Sequence, residues 1–224
     1  MSAPKEPTEE TFARDVAAHQ MTVVLDKEEH RHLTFRKPDS GDMHFHITTW
    51  PGYLSISGDM GCYVFARVRD MFRFFRGDGI NLGYWAEKIQ AADRCGVKQF
   101  DPDKLRAYVE EEIKDWPEEV RDAARRDVLH DDEHDARKAL YEFDEDGHEF
   151  VDTFEADFSS YTFRFVWCCR AILWAIQQYD AARAAPSAPA APEAAPRPSI
   201  LTQGTSHDGG PALETTTCAA GDDE

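Results

Sequence analysis

The sequence predicts an α+β fold: an N-terminal antiparallel β-meander of about four strands packed against a bundle of about five helices, with a disordered C-terminal tail. Three observations carry this. From His30 to Phe65, apolar residues alternate with polar ones in short runs separated by turn residues. From Val68 onward the apolar spacing changes to three and four. From Phe163 to Ile176 the chain is apolar on almost every side of a helix, which places that helix in the interior.

A chain of 224 residues, 42% of them apolar and including 14 Phe and 5 Trp, can bury one ordinary hydrophobic core. The expected organisation is an N-terminal segment over 1–29, partly disordered; a single domain over 30–184; and a disordered Ala/Pro-rich and polar tail over 185–224. Net charge is −18, and it is unevenly spread: residues 101–157 carry 22 Asp and Glu against 8 Lys and Arg. Such a field repels nucleic acid and anionic lipid unless a local basic patch overrides it. The 5 cysteines include no C-x-x-C pair, and Cys168 and Cys169 fall in the apolar run. Reduced thiols in a cytoplasmic protein are expected. The first ten residues are polar and acidic, unlike a secretory signal. Phe163–Ile176 falls short of the roughly 20 residues a spanning helix needs and contains Arg164 and Arg170, so no membrane association is expected.

Taken in order, Met1–Pro7 is expected to be disordered, and Thr8–His19 to form a short helix with Phe12 and Val16 on one side. Residues 22–29 read as a connector. His30–Arg36 is the first strand, with Leu33 and Phe35 inward. Lys37–Asp42 is a turn, and His44–Thr49 the second strand, with Phe45 and Ile47 inward. Trp50-Pro51-Gly52 turns the chain again. Leu54 and Ile56 then alternate with Ser55 and Ser57, and Gly58-Asp59-Met60-Gly61 supplies residues that tolerate positive φ before Tyr63, Val64 and Phe65 resume the sheet. This hairpin feeds directly into a helix with Val68, Met71, Phe72 and Phe75 on its apolar face, and that junction is the expected folding centre.

Asn81 can cap the next helix, with Leu82, Trp85, Ile89 and Ala92 inward and Gly96 at its end. Asp101-Pro102 is a strong helix start, and Leu105, Tyr108, Val109, Ile113 and Trp116 form the buried face. Pro117 breaks that helix and opens another through Val120, Ala124 and Val128. Ala136, Leu140 and Phe143 mark one more. Asp144–Gly147 is a loop, and Phe150–Phe158 has no decisive period. Ser159 or Ser160 starts the last helix, which runs to about Ala184 against the sheet, with the helices from residue 68 onward around it.

Several constellations bear on chemistry. His30 and His32 share one strand face, as do His44 and His46, and four imidazoles on a hairpin would suit zinc or another transition metal. The plainer reading is the polar side of a half-exposed sheet. His130 and His134 have the spacing of a helical ligand pair, but Asp131 stands where the metalloprotease motif needs Glu. Glu142–Gly147 resembles the start of a calcium loop, but Thr153 occupies the position of the closing Glu, so calcium is rejected. Arg69, Arg73 and Arg76 would form a stripe on the face opposite Val68 and Met71. That stripe can grip phosphate, or pair with the acidic block. The acidic block itself can serve solubility or imitate a nucleic-acid backbone. There is no G-x-S-x-G, phosphate-cradling Gly loop or dinucleotide fingerprint, and nothing in the spacing selects a Cys62–histidine pair.

Thr49–Leu54, Ser57–Phe65, Asp70–Phe75 and Gly83–Lys88, together with Phe165–Cys169 and Gln178-Tyr179-Asp180, resemble an uncharacterised protein family of tailed bacteriophages and prophages. The likeness spans roughly residues 30–181. It implies a small accessory protein expressed from a phage genome in a bacterial host, and it carries no activity and no catalytic residues.

The expected function is therefore a non-enzymatic protein-interaction factor in the host cytoplasm that binds a host or phage protein, with no cofactor and no metal. Candidate binding residues are Trp50, Arg69, Arg73 and Arg76. The alternatives are a metal-binding protein or metal-dependent enzyme using the histidine face, and a binder of single-stranded nucleic acid, an unfavoured partner at this charge.

Overall fold

The computed structural model describes residues 6–77 and 79–185. Of the expected disorder over Met1–Pro7 and in the tail, Met1–Lys5 and the residues beyond Ala185 lie outside the described residues, while Pro7 is buried and its carbonyl accepts from Arg170 Nε at 3.0 Å. The architecture is α+β, as the sequence predicts, and it is built on two hydrophobic cores.

Helix α1 (Glu9–Val16) is capped by the Thr8 side chain, which accepts from Thr11 N, and buries Phe12 and Val16 one turn apart. Six strands then form one antiparallel sheet in chain order: β1 (Gln20–Lys27), β2 (His30–Arg36), β3 (Phe45–Trp50), β4 (Tyr53–Gly58), β5 (Gly61–Ala66) and β6 (Ile89–Ala92). Between β5 and β6 the chain forms two short helices, α2 (Met71–Phe75) and α3 (Leu82–Ala86). The inner face of the sheet is a continuous ladder. Leu33 lies opposite Ile47, Ile47 opposite Ile56, and Ile56 opposite Tyr63, each fully buried.

Gly58 is opposite Phe45 with φ of +151°, and a Cβ there would stand 2.2 Å from the His44 carbonyl oxygen, so the β4–β5 turn admits no side chain at that position. Helix α7 (Phe163–Ala184) lies on this face, started by Thr162, whose hydroxyl accepts from Phe165 N. Its aromatic rings meet those of the sheet: Phe45 and Trp167 are 5.7 Å apart, Phe35 and Trp174 5.5 Å, and Tyr63 and Phe165 5.5 Å, all edge to face. On its other side α1 closes over Trp167, with Phe12 at 5.3 Å and Asp15 accepting from the indole N–H. Burial on both sides is why α7 has no polar face.

Several expectations are corrected. The sheet has two more strands than the four predicted. β1 occupies the expected connector. Its three consecutive apolar residues Val23, Val24 and Leu25 are exposed around a register irregularity, so no alternation is present to read. β6 occupies the second half of the expected helix. The apolar spacing there is helical, but the open edge of β5 captures Ile89–Ala92, and sheet pairing outweighs local preference. Val68 is not on α2, which begins at Met71 behind its cap Asp70. Finally, α4 (Pro102–Glu112), α5 (Glu118–Val128) and α6 (Glu133–Glu142) do not surround α7. They enclose a second core of Leu105, Val109, Ile113, Ala124, Val128, Ala136, Leu140, Phe150 and Phe158.

The second core is an insertion pinned at its neck. Strand β7 (Lys98–Phe100) leads into α4, a two-residue hairpin β8 (Asp144–Glu145) and β9 (His148–Glu149) follows α6, and β10 (Ser159–Tyr161) leads back to α7. β7 and β10 pair antiparallel, with Phe100 opposite Ser159, and Asp101 N donates to the Phe158 carbonyl at 2.7 Å. The serines expected to start the last helix thus belong to β10.

Candidate interaction face

The pinned insertion coincides with the acidic block, and its own cations are largely consumed within it. Arg125 reaches both oxygens of Glu110, at 2.8 and 2.7 Å, and also Asp122 at 3.1 Å. Arg106 pairs with Asp103, Arg126 with Asp127, and Arg137 with Glu133. Lys114 pairs with Glu111, and Lys104 Nζ donates to the Ser159 carbonyl. These contacts hold the Glu110 and Asp127 carboxyls below the ordinary range, chiefly through the hydrogen bonds from Arg125 and Arg126. Asp157 is held well below it by hydrogen bonds from Lys98, then Ser159. Glu112, Glu118, Glu119, Asp152 and Glu155 are exposed and make no ion pair among the described residues.

A groove of about 750 Å³ runs along α4. One wall is Lys104, Ala107, Tyr108 and Glu112, the i, i+3, i+4, i+8 face of that helix; the other is the segment from Val151 to Phe158. A 3₁₀ turn at Thr153–Glu155 shapes the second wall, entered through Asp152 in the left-handed region with φ of +55°. Burial raises the Tyr108 hydroxyl pKa, with the Glu112 and Asp152 charges adding to the shift. The insertion also exposes Tyr141 (84%), Phe154 (78%) and Val151 (62%). α6 packs against the 3₁₀ turn, which brings the elements bearing these side chains together.

The residues singled out from sequence are distributed differently. Trp50 stacks on Tyr53 with centroids 5.2 Å apart, at the β3–β4 turn. Arg69, Arg73 and Arg76 do not form one helical stripe, because Arg69 precedes the α2 cap and Arg76 follows its last residue. Arg69 pairs with Glu29 at 2.8 Å, and Arg76 makes a two-pronged bond to Asp180 at 2.8 and 2.6 Å. Their partners are therefore outside the acidic block. Arg73 is exposed on α2 and makes no ion pair among the described residues. Trp50 and Arg69 do share a corner, where Gly52 N donates to the Arg69 carbonyl at 2.9 Å.

The histidine face is partly assembled. Ring centroids of His32 and His46 are 5.9 Å apart and those of His44 and His46 5.6 Å, whereas His30 lies at the far end of β2 opposite Lys27. His44 Nδ1 is 2.7 Å from the Gly41 carbonyl and 3.0 Å from Asp59. Burial, then the charges of His44 and His32, lower the His46 pKa. Among the described residues no group of three or more His, Cys, Asp or Glu is placed to hold a metal ion. His46 and Cys62 both lie opposite Ser57, on the strands to either side of it, and no hydrogen bond joins them among the described residues. His130 precedes α6 while His134 is inside it, so the two do not share a helical face. Asp146 and Gly147, both at positive φ, make the β8–β9 turn rather than a calcium loop. Cys168 and Cys169 are buried free thiols with pKa values raised by burial.

The groove residues Tyr108, Val151 and Asp152 were missed as a site. Tyr108 reads as core from its spacing, and Phe154 shares the four-residue spacing of Phe150 and Phe158, so only Val151, which falls off that spacing, hints at an exposed apolar lip. Among the described residues no helix is long and apolar enough to cross a membrane. No family model, curated protein or solved structure matches the chain.

Proposed function

We propose that this chain is a non-enzymatic accessory protein of phage or prophage origin that acts in the cytoplasm of a bacterial host by binding a basic protein surface through its acidic insertion. The observation that carries the reading is the confinement of charge. The acidic excess is concentrated in one pinned module, most of its arginines are tied to neighbouring carboxylates, and Glu112, Glu118, Glu119, Asp152 and Glu155 face solvent. A surface of this kind competes for grooves built to take a phosphate backbone, so nucleic-acid-binding proteins of host or phage are the partner class. The phage assignment rests on the likeness of the segments from Thr49 to Lys88 and from Phe165 to Asp180, which supply β4, β5, α2, α3 and much of α7.

The test is capture of partners from bacterial lysate at low salt, using the tagged full chain beside a variant with Glu118→Gln, Glu119→Gln, Glu112→Gln and Asp152→Asn. The expected result is a stoichiometric basic protein that the variant recovers poorly and that salt releases. Recovery of no partner at low salt overturns the proposal.

A further inference from the structure

We infer that the groove along α4 is the docking site, and that its occupant is an amphipathic partner segment bearing Lys or Arg beside an apolar anchor. This rests on the reading of the insertion as an interaction module and narrows it to one surface. The groove joins two features in one place. Its floor is apolar and aromatic, from Ala107, Tyr108, Ala156 and Phe158, with Val151 standing 62% exposed at the lip. Its rim is one-sided in charge: Glu112, Asp152, Glu155 and Asp157 face a single lysine, Lys104.

Two of those rim charges are already engaged, Asp157 by Lys98 at 2.8 Å and Lys104 by the Ser159 carbonyl. What remains for an incoming chain is three carboxylates over an apolar bed. Glu112 lines one wall and Asp152 the other, with the Tyr108 ring in the floor, and after burial their charges add to the rise in the Tyr108 hydroxyl pKa. A cationic side chain laid across that ring would meet a carboxylate on each side and an aromatic face beneath it. Phe154 is exposed within the 3₁₀ turn between two rim carboxylates, and Tyr141 is exposed on the helix that packs on that turn. Both lie outside the groove lining and add exposed apolar surface to the same insertion. The complementarity is to a basic and apolar chain; an anionic segment would be repelled by the same rim.

The test measures binding of a labelled amphipathic peptide of Lys, Arg and Leu to the full chain by fluorescence anisotropy, with a Glu/Leu peptide as control. Three variants are compared with the parent: Glu112→Gln with Asp152→Asn, Val151→Ser, and the distal pair Glu118→Gln with Glu119→Gln. The expected result is binding of the basic peptide alone, weakened about tenfold or more by the groove carboxylate pair and severalfold by Val151→Ser. The distal pair should change it less than about twofold. Equal weakening by groove and distal pairs overturns the groove assignment while leaving the acidic insertion as the binding module. No binding of the basic peptide at low salt overturns both. Circular dichroism of each variant keeps a folding defect from being read as lost binding.

Discussion

The Tyr179 hydroxyl donates to Asp26 Oδ1 at 2.9 Å, tying the last turns of α7 to the edge strand β1 across 153 residues of sequence. Arg183 reaches the same carboxylate and also the Tyr179 oxygen, so one edge-strand acid holds two α7 side chains. Tyr179→Phe keeps the ring against Phe72 and removes the hydroxyl, which donates to Asp26 and accepts from Arg183. The expected loss is about 1 kcal/mol, read as a lower urea midpoint with an unchanged slope.

Arg31 is the charged residue most deeply committed to the first core. Its guanidinium lies 4.6 Å over the Phe72 ring and pairs with both oxygens of Asp70. Asp70 also accepts from Phe72 N at the start of α2. Asp70→Ala removes a helix cap and strands a buried cation, so it should cost about 2–4 kcal/mol. In a double-mutant cycle with Arg31→Met, the pair should cost clearly less than the two single changes added together. Strict additivity would mean that the pair is not coupled.

Gly58 and Gly41 differ in what a methyl group would meet. At Gly58 it would strike the His44 carbonyl and the Phe45 backbone, on a residue with φ of +151°; at Gly41 nothing lies within 4 Å. Gly58→Ala should destabilise by more than about 1 kcal/mol, and Gly41→Ala should leave the melting temperature within error of the parent. Thermal unfolding of the two variants side by side checks the turn geometry.

Acidification should weaken the fold in a window that histidine sets. The His46 pKa is lowered from its ordinary value of 6.5, so the unfolded chain takes up the proton first. Stability is therefore full above about pH 6.5 and declines as pH falls from there through the lowered folded value. His46→Gln should flatten the melting temperature between about pH 7 and pH 5. A slope unchanged in the variant would place the titration elsewhere. The carboxyls held low by Arg125, Arg126 and Lys98 act in a separate, more acidic window, with stability lost as pH falls below the usual carboxylate range.

The legible parts of the fold were those where one local signal sufficed. Leu33, Phe35, Phe45, Ile47, Leu54 and Ile56 alternate because one face of their strands is buried, and all six are in the core. Asp101-Pro102 and Asn81 name helix starts by capping chemistry that needs no tertiary context, whereas the cap at Asp70 went unread because Val68 extends the helical spacing past it. β6 was hidden because Leu82, Trp85, Ile89 and Ala92 satisfy a helical period, and only the open edge of β5 decides against it. β7 and β10 were hidden because three residues carry no period at all. The candidate groove was illegible for a related reason. Its walls come from α4 and from a segment some forty residues later, and their approach depends on strands too short to read.

The neck formed by β7 and β10 has a consequence for how such a protein changes over generations. Both ends of the acidic module leave the same spot, Phe100 facing Ser159. Replacing everything between them by a tight turn would ask little of the sheet, since the ladder from Leu33 to Tyr63 and the buried face of the helix above it belong to the first core and not to the second. Insertion and scaffold are thus separable: the acidic module could be exchanged or removed as a cassette while the chassis that carries it stays the same.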